Sequence, residues 1–347
     1  MGNKSPSNFK SYSSYSSLTP MLISGKIENM KVKQLPLNQI FLEDERFRIS
    51  YYFPLEKMVL SLKSAGLINP PLVCFRDSHF ILVSGWKRVL ACREISLSSI
   101  PVQVSEEEDD LKTFLWAFYE NMALREFNLI EKAEILSKLK KLGKTEEKII
   151  QHFLPLLDIP STLSHLDTFL SFSGFKPELK KLIVEKNMPF SSTQLLSEFK
   201  PRGRKLLLPL LLPLGQNKQK ELLEDLLEVS RKSDIPAEKL LTSKEIQDAL
   251  KSEKLSPLQK SDKVRLLLKR KRYPSLSSMK DSFDSLLKRI DWPREISVKH
   301  SPFFEGEDVS VSFTFKNNVE FQRHLRKLQK LASRKEFSTL FNLDNSG

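Results

Sequence analysis

Cysteine and glycine are scarce in this 347-residue chain, which holds two cysteines (Cys74 and Cys92) and ten glycines. Two thiols allow at most one disulfide, so a disulfide-stapled secreted scaffold is excluded and a reducing, cytoplasmic setting is the simpler expectation. Both cysteines sit in or beside apolar runs, which predicts buried, inert thiols rather than nucleophiles. The sequence has no Walker-type phosphate loop and no GxGxxG run. Its five histidines, at 79, 152, 165, 300 and 324, are scattered, and none stands at metal-ligand spacing from another ligand. Long apolar runs are also missing. The most apolar, Leu206 to Leu214, has nine residues and two prolines, against the roughly 20 that a spanning helix needs. No membrane partner is therefore expected. The opening MGNKSPSNFK has no apolar stretch of a secretory signal, and Pro6 breaks the myristoylation pattern.

What the chain does have is positive charge. Lys and Arg number 56 against 43 Asp and Glu, a formal +13, while 40% of residues are hydrophobic and 29% charged. That composition is globular, and a basic excess either solvates the surface or binds a polyanion. One core commonly serves about 100–200 residues, so two or three domains are expected.

Residues 1–30, with eight serines, read as a disordered tail. A small α+β domain follows over 31–110. Leu35 to Ile40 reads as a short strand before a turn; Leu55, Val59, Leu60 and Leu62 mark a helix that Gly66 stops. Pro71–Phe75 and His79–Val83 read as a hairpin around Arg76-Asp77-Ser78, a helix covers 86–95, and Ile100–Val104 is another strand. From the acidic patch at 106–110 onward the chain is helical. Residues 111–200 form one helical domain, with Asn128 and Glu131 as a capping box and Thr145 opening a further helix. A helical extension spans 201–274, where Pro209 and Pro213 predict a bent or broken buried connection, followed by helices near 217–231, 237–252 and 257–271. A small α+β unit, 275–347, ends the chain, with a helix at 275–290, strands at 295–299 and 309–315 joined by a turn at 305–308, and a helix at 318–333 whose basic residues form a solvated face. The fold class is α+β.

Two short constellations carry chemistry. In Ser84-Gly85-Trp86-Lys87-Arg88-Val89-Leu90-Ala91, a glycine joins strand to helix and two cations follow. Free N–H groups at a helix start beside Lys and Arg are suited to phosphate oxygens, although an ordinary turn with solvated cations has the same sequence. In Glu120-Asn121-Met122-Ala123-Leu124-Arg125, side-chain oxygens suit a Mg²⁺ already held by phosphates, and the Arg offers a fork to phosphate.

In this order and spacing, the two boxes resemble the ParB/Spo0J-like chromosome and plasmid partition family, matching its GERRxxA and ENxxR motifs. Leu35 to Ile40 looks like the family's opening strand, Ala65 to Val73 is similar to its G-[IL]-x-P-[IL]-V segment, and Glu185 to Leu196 is similar to the segment after its helix-turn-helix. The likeness runs from about 32 to 200. It implies a ParB/sulfiredoxin-like N-terminal domain, an all-helical helix-turn-helix region and a small C-terminal α+β unit that pairs two chains. It also implies CTP with Mg²⁺ as cofactor, weak CTPase activity at most, double-stranded DNA as partner, a homodimer, a partition ATPase partner, and a cytoplasmic, nucleoid-associated location. Carried over residue by residue, Gly85, Lys87 and Arg88 would meet phosphates, Glu120 and Asn121 the metal, and Arg125 would brace the site. Gly66, Asn69 and Pro70 would line the base or ribose side. Trp86 stands where the family usually has Glu, and Lys87 where it usually has Arg, which puts a bulky indole beside the phosphates. Sulfiredoxin's catalytic cysteine has no counterpart here.

For the DNA-reading pair, Thr145 to Phe153 is the first helix, Leu154 to Asp158 a long link and Pro160 to Phe172 the recognition helix, with Leu163, Leu166, Phe169 and Leu170 in the core. Ser161, Thr162, Ser164, His165 and Thr168 remain for the groove. No Lys or Arg lies between Pro160 and Phe175, so positive charge must come from Lys138, Lys140, Lys141, Lys144 and Lys148 before it and Lys176, Lys180 and Lys181 after. The basic run Arg265 to Arg272 is either a helix C-terminus stabilised by its cations or a second phosphate-contacting surface. These features together point to a ParB-like DNA-binding protein. The alternatives are a nucleotide-dependent phosphotransferase or nuclease on the same fold, and a DNA-associated scaffold with a degenerate nucleotide site.

Overall fold

Asp77 and Ser78 both take positive φ, 50° and 68°, the twist a two-residue hairpin turn needs to match the strands it joins. They connect β3 (Leu72–Arg76) to β4 (His79–Ser84), antiparallel neighbours in the centre of a five-stranded sheet. The computed structural model describes residues 30–301, 308–334 and 337. The tail assigned to 1–30 falls outside these but for Met30, as does the turn at 305–307.

The run Leu35 to Ile40, expected as one strand, is two. β1 (Lys31–Pro36) pairs antiparallel with β5 (Ser99–Ser105) at one edge of the sheet, while β2 (Ile40–Phe41) pairs parallel with β4 at the other. A 3₁₀ turn at Leu37–Gln39 separates them. Strand order is β1-β5-β3-β4-β2. Pro101 is tolerated within β5 because β3 joins that side only from Leu72, opposite Gln103, so the missing N–H lacks no partner there. Helices α1 (Glu56–Ala65), closed by Gly66 at φ 73°, and α2 (Trp86–Glu94) complete this layer. Leu35, Leu62, Val73, Leu82, Trp86, Val89, Ile100 and Val102 fill its core. Cys74 and Cys92 are free and buried, and burial raises both thiols, Cys74 to about 11. They are inert, as the apolar runs predicted.

Asp109 caps α3 (Asp110–Leu124) by accepting from the N–H groups of Leu111 and Lys112. The Asn128–Glu131 capping box opens α4 (Leu129–Lys141) as expected. After it come α5 (Glu146–Lys148), a π-helical stretch (Ile149–Phe153) and α6 (Leu154–Leu156) as one continuous helix. The predicted link after Phe153 is therefore helical. Pro155 lacks the N–H of an α-helical step, and the widened turn before it accommodates this, with Leu154 N donating to Ile149 O. The next helix, α7 (Leu163–Ser173), starts three residues later than expected because Thr162 is its N-cap, leaving Pro160 and Ser161 outside. Leu163, expected in the core, is 51% exposed, whereas Leu166, Phe169 and Phe172 are buried against α4. Helices α8 (Pro177–Glu185) and α9 (Phe190–Ser197) finish this unit, and contacts divide the chain after Glu198.

The second unit begins with α10 (Pro201–Leu211), a helix rather than a connection despite Pro209 inside it. It continues with α11 (Gln216–Ser233), α12 (Ala237–Leu241), α13 (Lys244–Lys251), α14 (Pro257–Arg272) and α15 (Pro274–Arg289). Thr242 and Ser243 split the helix expected over 237–252. β6 (Ser297–His300) and β7 (Val309–Ser312) form an antiparallel pair, and α16 (Asn318–Ala332) follows. The molecule is thus α+β. No helix among the described residues is long and apolar enough to cross a membrane.

Neither turn residue of the β3–β4 hairpin is glycine, and an L-residue in this conformation carries a strain of about 1 kcal/mol. Ser78→Gly is therefore expected to raise stability by about 0.5 kcal/mol, measured by urea denaturation.

Candidate functional site

Gly85 takes φ 98° at the junction of β4 and α2, and a Cβ there would come within 2.8 Å of the Pro71 Cβ and 3.1 Å of the Arg88 guanidinium carbon. Only glycine allows that approach. No side chain caps α2, so its first N–H groups remain available to a ligand. Arg88 folds back over this turn. Its Nη1 donates to the carbonyl oxygens of Asn69 (2.8 Å) and Pro70 (3.1 Å), and its Nη2 to Glu120 Oε1 (3.3 Å). One guanidinium thereby joins the segment before β3, the start of α2 and the end of α3.

A second knot lies beside the end of α3. Arg125 donates bidentately to Glu131 (2.7 and 3.0 Å) and also to Ser50 Oγ (2.8 Å). Glu131, 3% exposed at its side chain, further accepts from the Asn128 and Tyr51 N–H groups. Asn121 donates to Ala117 O and accepts at 3.5 Å from Ser50 Oγ. Glu120 and Asn121 thus face different partners, Arg88 and Ser50. The ammonium of Lys87 lies 4.9 Å over the Phe53 ring, and burial, then the nearby Arg125, lowers its proton affinity. Gly66, at the C-cap of α1, belongs to neither knot.

Trp86, expected beside the phosphates, is 4% exposed and packs in the sheet-domain core, leaving the helix start open. Arg48 lies over its ring at 4.6 Å and over Tyr51 at 4.5 Å. Arg48, Ser50 and Tyr51 were missed from sequence because residues 42–54 have no periodicity. Their one signal was the crowding of Arg46, Arg48 and three consecutive aromatics. Lys138 was expected to supply charge to DNA. It is half-buried instead, donating to the carbonyl oxygens of Glu45 and Arg48 (2.6 Å to the latter). Lys140 pairs with Glu146 and Lys180 with Glu134. Lys141, Lys148 and Lys176 are exposed and Lys144 half-buried, none with an ion-pair partner among the described residues.

On α7, Thr162 Oγ1 accepts from His165 N and lies 2.8 Å from His165 Nδ1. Thr168 and Ser171 donate back to their own helix, while Ser161 and Ser164 are exposed. The basic run of α14 is paired within its own unit: Arg265 with Glu221 and Asp262, Lys269 with Glu221, Arg270 with Asp281, Lys271 with Glu245, and Arg272 with Asp225 and Glu228. These partners favour the stabilising role over a phosphate-contacting surface.

Residues 23–122 match the ParB N-terminal domain family. Over that stretch the chain is similar to ParB N-terminal domains, as the two boxes led one to expect. It is 22% identical over 149 residues to the probable chromosome-partitioning protein ParB of Borreliella burgdorferi, covering 43% of this chain and 55% of that one. It is 28% identical over 132 residues to the nucleoid occlusion protein of Halalkalibacterium halodurans, covering 37% and 45%. The chain spans about half the length of these curated relatives. A C-terminally truncated ParB from Caulobacter crescentus, complexed with CTP-gamma-S, aligns at 17% identity over 52% of this chain and 98% of its own, with a TM-score of 0.25.

Burial, opposed by Glu134 and Glu45, pushes the Lys138 ammonium down to about 8 from 10.5. The folded chain then releases this proton before the unfolded one does, so stability is expected to rise as pH climbs from about 8 towards 10.5, and to fall again on return. Urea titrations across that range check this, with the slope reduced in Lys138→Met.

Proposed function

We propose that this chain is a ParB-like DNA-binding protein that acts in chromosome or plasmid partition, or in regulation at specific DNA sites, with CTP and Mg²⁺ gating its hold on DNA. The observation that carries the nucleotide half is Arg88, which ties Asn69, Pro70 and Glu120 together around the uncapped start of α2. That arrangement is a basic, N–H-rich surface of the kind that takes phosphate oxygens. Lys87 and Arg88 supply charge to the phosphates, and Gly85 keeps the backbone close. Arg125, already held by Glu131, positions Ser50 and the end of α3 rather than meeting phosphate itself. Gly66, Asn69 and Pro70 lie on the base or ribose side.

The side-chain oxygens of Glu120 and Asn121 are of the type magnesium takes when phosphate and water supply most of its ligands. Glu120 offers a carboxylate and Asn121 an amide oxygen whose one contact is long. When bound, the ion would neutralise phosphate charge. The protein's own share is to orient the nucleotide and to link its presence to α3 and α4.

For DNA, α7 serves as the reading helix, with Ser161, Thr162, Ser164 and His165 at its exposed start. Lys141, Lys144, Lys148 and Lys176 grip the backbone on either side. A cytoplasmic, nucleoid-associated homodimer with a partition ATPase partner completes the reading; the names of the relatives support its partition and nucleoid parts.

CTP with Mg²⁺ at 100 times its Kd is expected to add about 2.7 kcal/mol to stability, seen as a higher Tm that ATP does not reproduce and that Arg88→Ala abolishes. No shift with any nucleotide overturns the gate. Lys141→Glu with Lys144→Glu is expected to weaken DNA binding and to lower the log–log salt slope by about 2. An unchanged slope in fluorescence anisotropy removes the backbone-gripping role.

A further inference from the structure

The exposed start of α7 carries no arginine or lysine, so base reading falls to small hydroxyls and a single imidazole. Two of the hydroxyls are occupied as donors, Thr168 by Ser164 O and Ser171 by Thr168 O. The imidazole is held on two sides. Its Nδ1 lies 2.8 Å from Thr162 Oγ1, and its ring stacks on Phe190 with centroids 6.0 Å apart and planes at 20°. Phe190 is itself seated against Phe169 and Phe172, so the stack rests on the helical core.

Thr162 Oγ1 already accepts the backbone N–H of His165 as the helix cap. Its one hydroxyl proton can face Nδ1, an arrangement in which Nδ1 accepts and the ring proton sits on Nε2. We infer that His165 is the specificity-determining residue of the reading helix and presents a fixed Nε2–H donor to a guanine edge in the major groove. This rests on the proposal that α7 reads DNA. Among major-groove edges, guanine offers two adjacent acceptors, O6 and N7, and cytosine offers only a donor. Adenine N7 and thymine O4 each offer one acceptor, so a preset donor rejects cytosine and favours guanine through its adjacent pair. Thr162 is a positioning residue, acting through the tautomer that it selects.

The test uses the full chain and a duplex site selected from random DNA. Wild type is expected to select an invariant guanine whose replacement by 7-deazaguanine weakens binding about tenfold. His165→Ala is expected to lose that preference, to bind 7-deazaguanine and guanine duplexes equally, and to keep its salt-dependent binding to unrelated DNA. Imidazole ¹⁵N spectra should show Nε2–H in wild type and in Thr162→Ser, and a tautomer mixture in Thr162→Val. If wild type binds DNA but His165→Ala selects the same site with the same 7-deazaguanine penalty, the assignment to His165 is wrong while α7 remains a DNA reader. If wild type binds no DNA, the DNA-reading proposal falls, and this inference with it. A wild-type spectrum with Nδ1–H overturns the donor geometry.

Discussion

The buried carboxylate of Glu131 is the group around which the first unit is organised. It accepts two bonds from Arg125, one from the Asn128 N–H and one from the Tyr51 N–H. A carboxylate this deeply buried is tolerable only when its oxygens are fully engaged, and removing a partner leaves an uncompensated charge at a cost of about 3–5 kcal/mol. The end of α3, the start of α4 and the irregular segment before α1 are therefore fixed together. Arg125 is consequently a brace, committed to Glu131 and Ser50.

Much of this was legible in the sequence. The hairpin, the Gly66 stop, the Asn128–Glu131 box and the order of sheet and helices follow local rules of turn, cap and period. The two boxes were visible because glycine, cations and an acid–amide pair stand at helix ends. The misreadings have particular causes. Leu35 to Ile40 reads as one strand because a 3₁₀ turn carries no signature against an apolar background. Pro155 reads as a helix stop because a π turn, which absorbs it, has no sequence mark. Leu163 reads as core because the period was phased from Pro160, whereas Thr162 sets the start. The roles of Ser50, Tyr51 and Lys138 were hidden because each depends on contacts some 70–90 positions away.

The net charge of +13 also divides unevenly by function. In the second unit, the densest basic run forms ion pairs with α11, α13 and α15 as well as along its own helix, so it neutralises neighbours rather than projecting a field. In the first unit, Lys138, Lys140 and Lys180 are likewise taken. Beside α7, which has no Lys or Arg, Lys141, Lys144, Lys148 and Lys176 have no ion-pair partner among the described residues. Such an arrangement favours a strong, salt-sensitive and largely sequence-blind grip, with discrimination left to neutral groups.

The segment from Glu45 to Ser50 is held in place by the buried side chains of Phe47 and Ile49 and also by its main chain. Lys138 reads the carbonyl oxygens of Glu45 and Arg48, and Arg48 reads that of Ser50. Contacts to carbonyl groups are indifferent to the side chains that those residues bear. Over evolutionary time, exposed positions in such a segment can be exchanged while its path stays put. A loop beside the Arg125–Glu131 knot gains from this a means of changing what its exposed positions meet without a new fold.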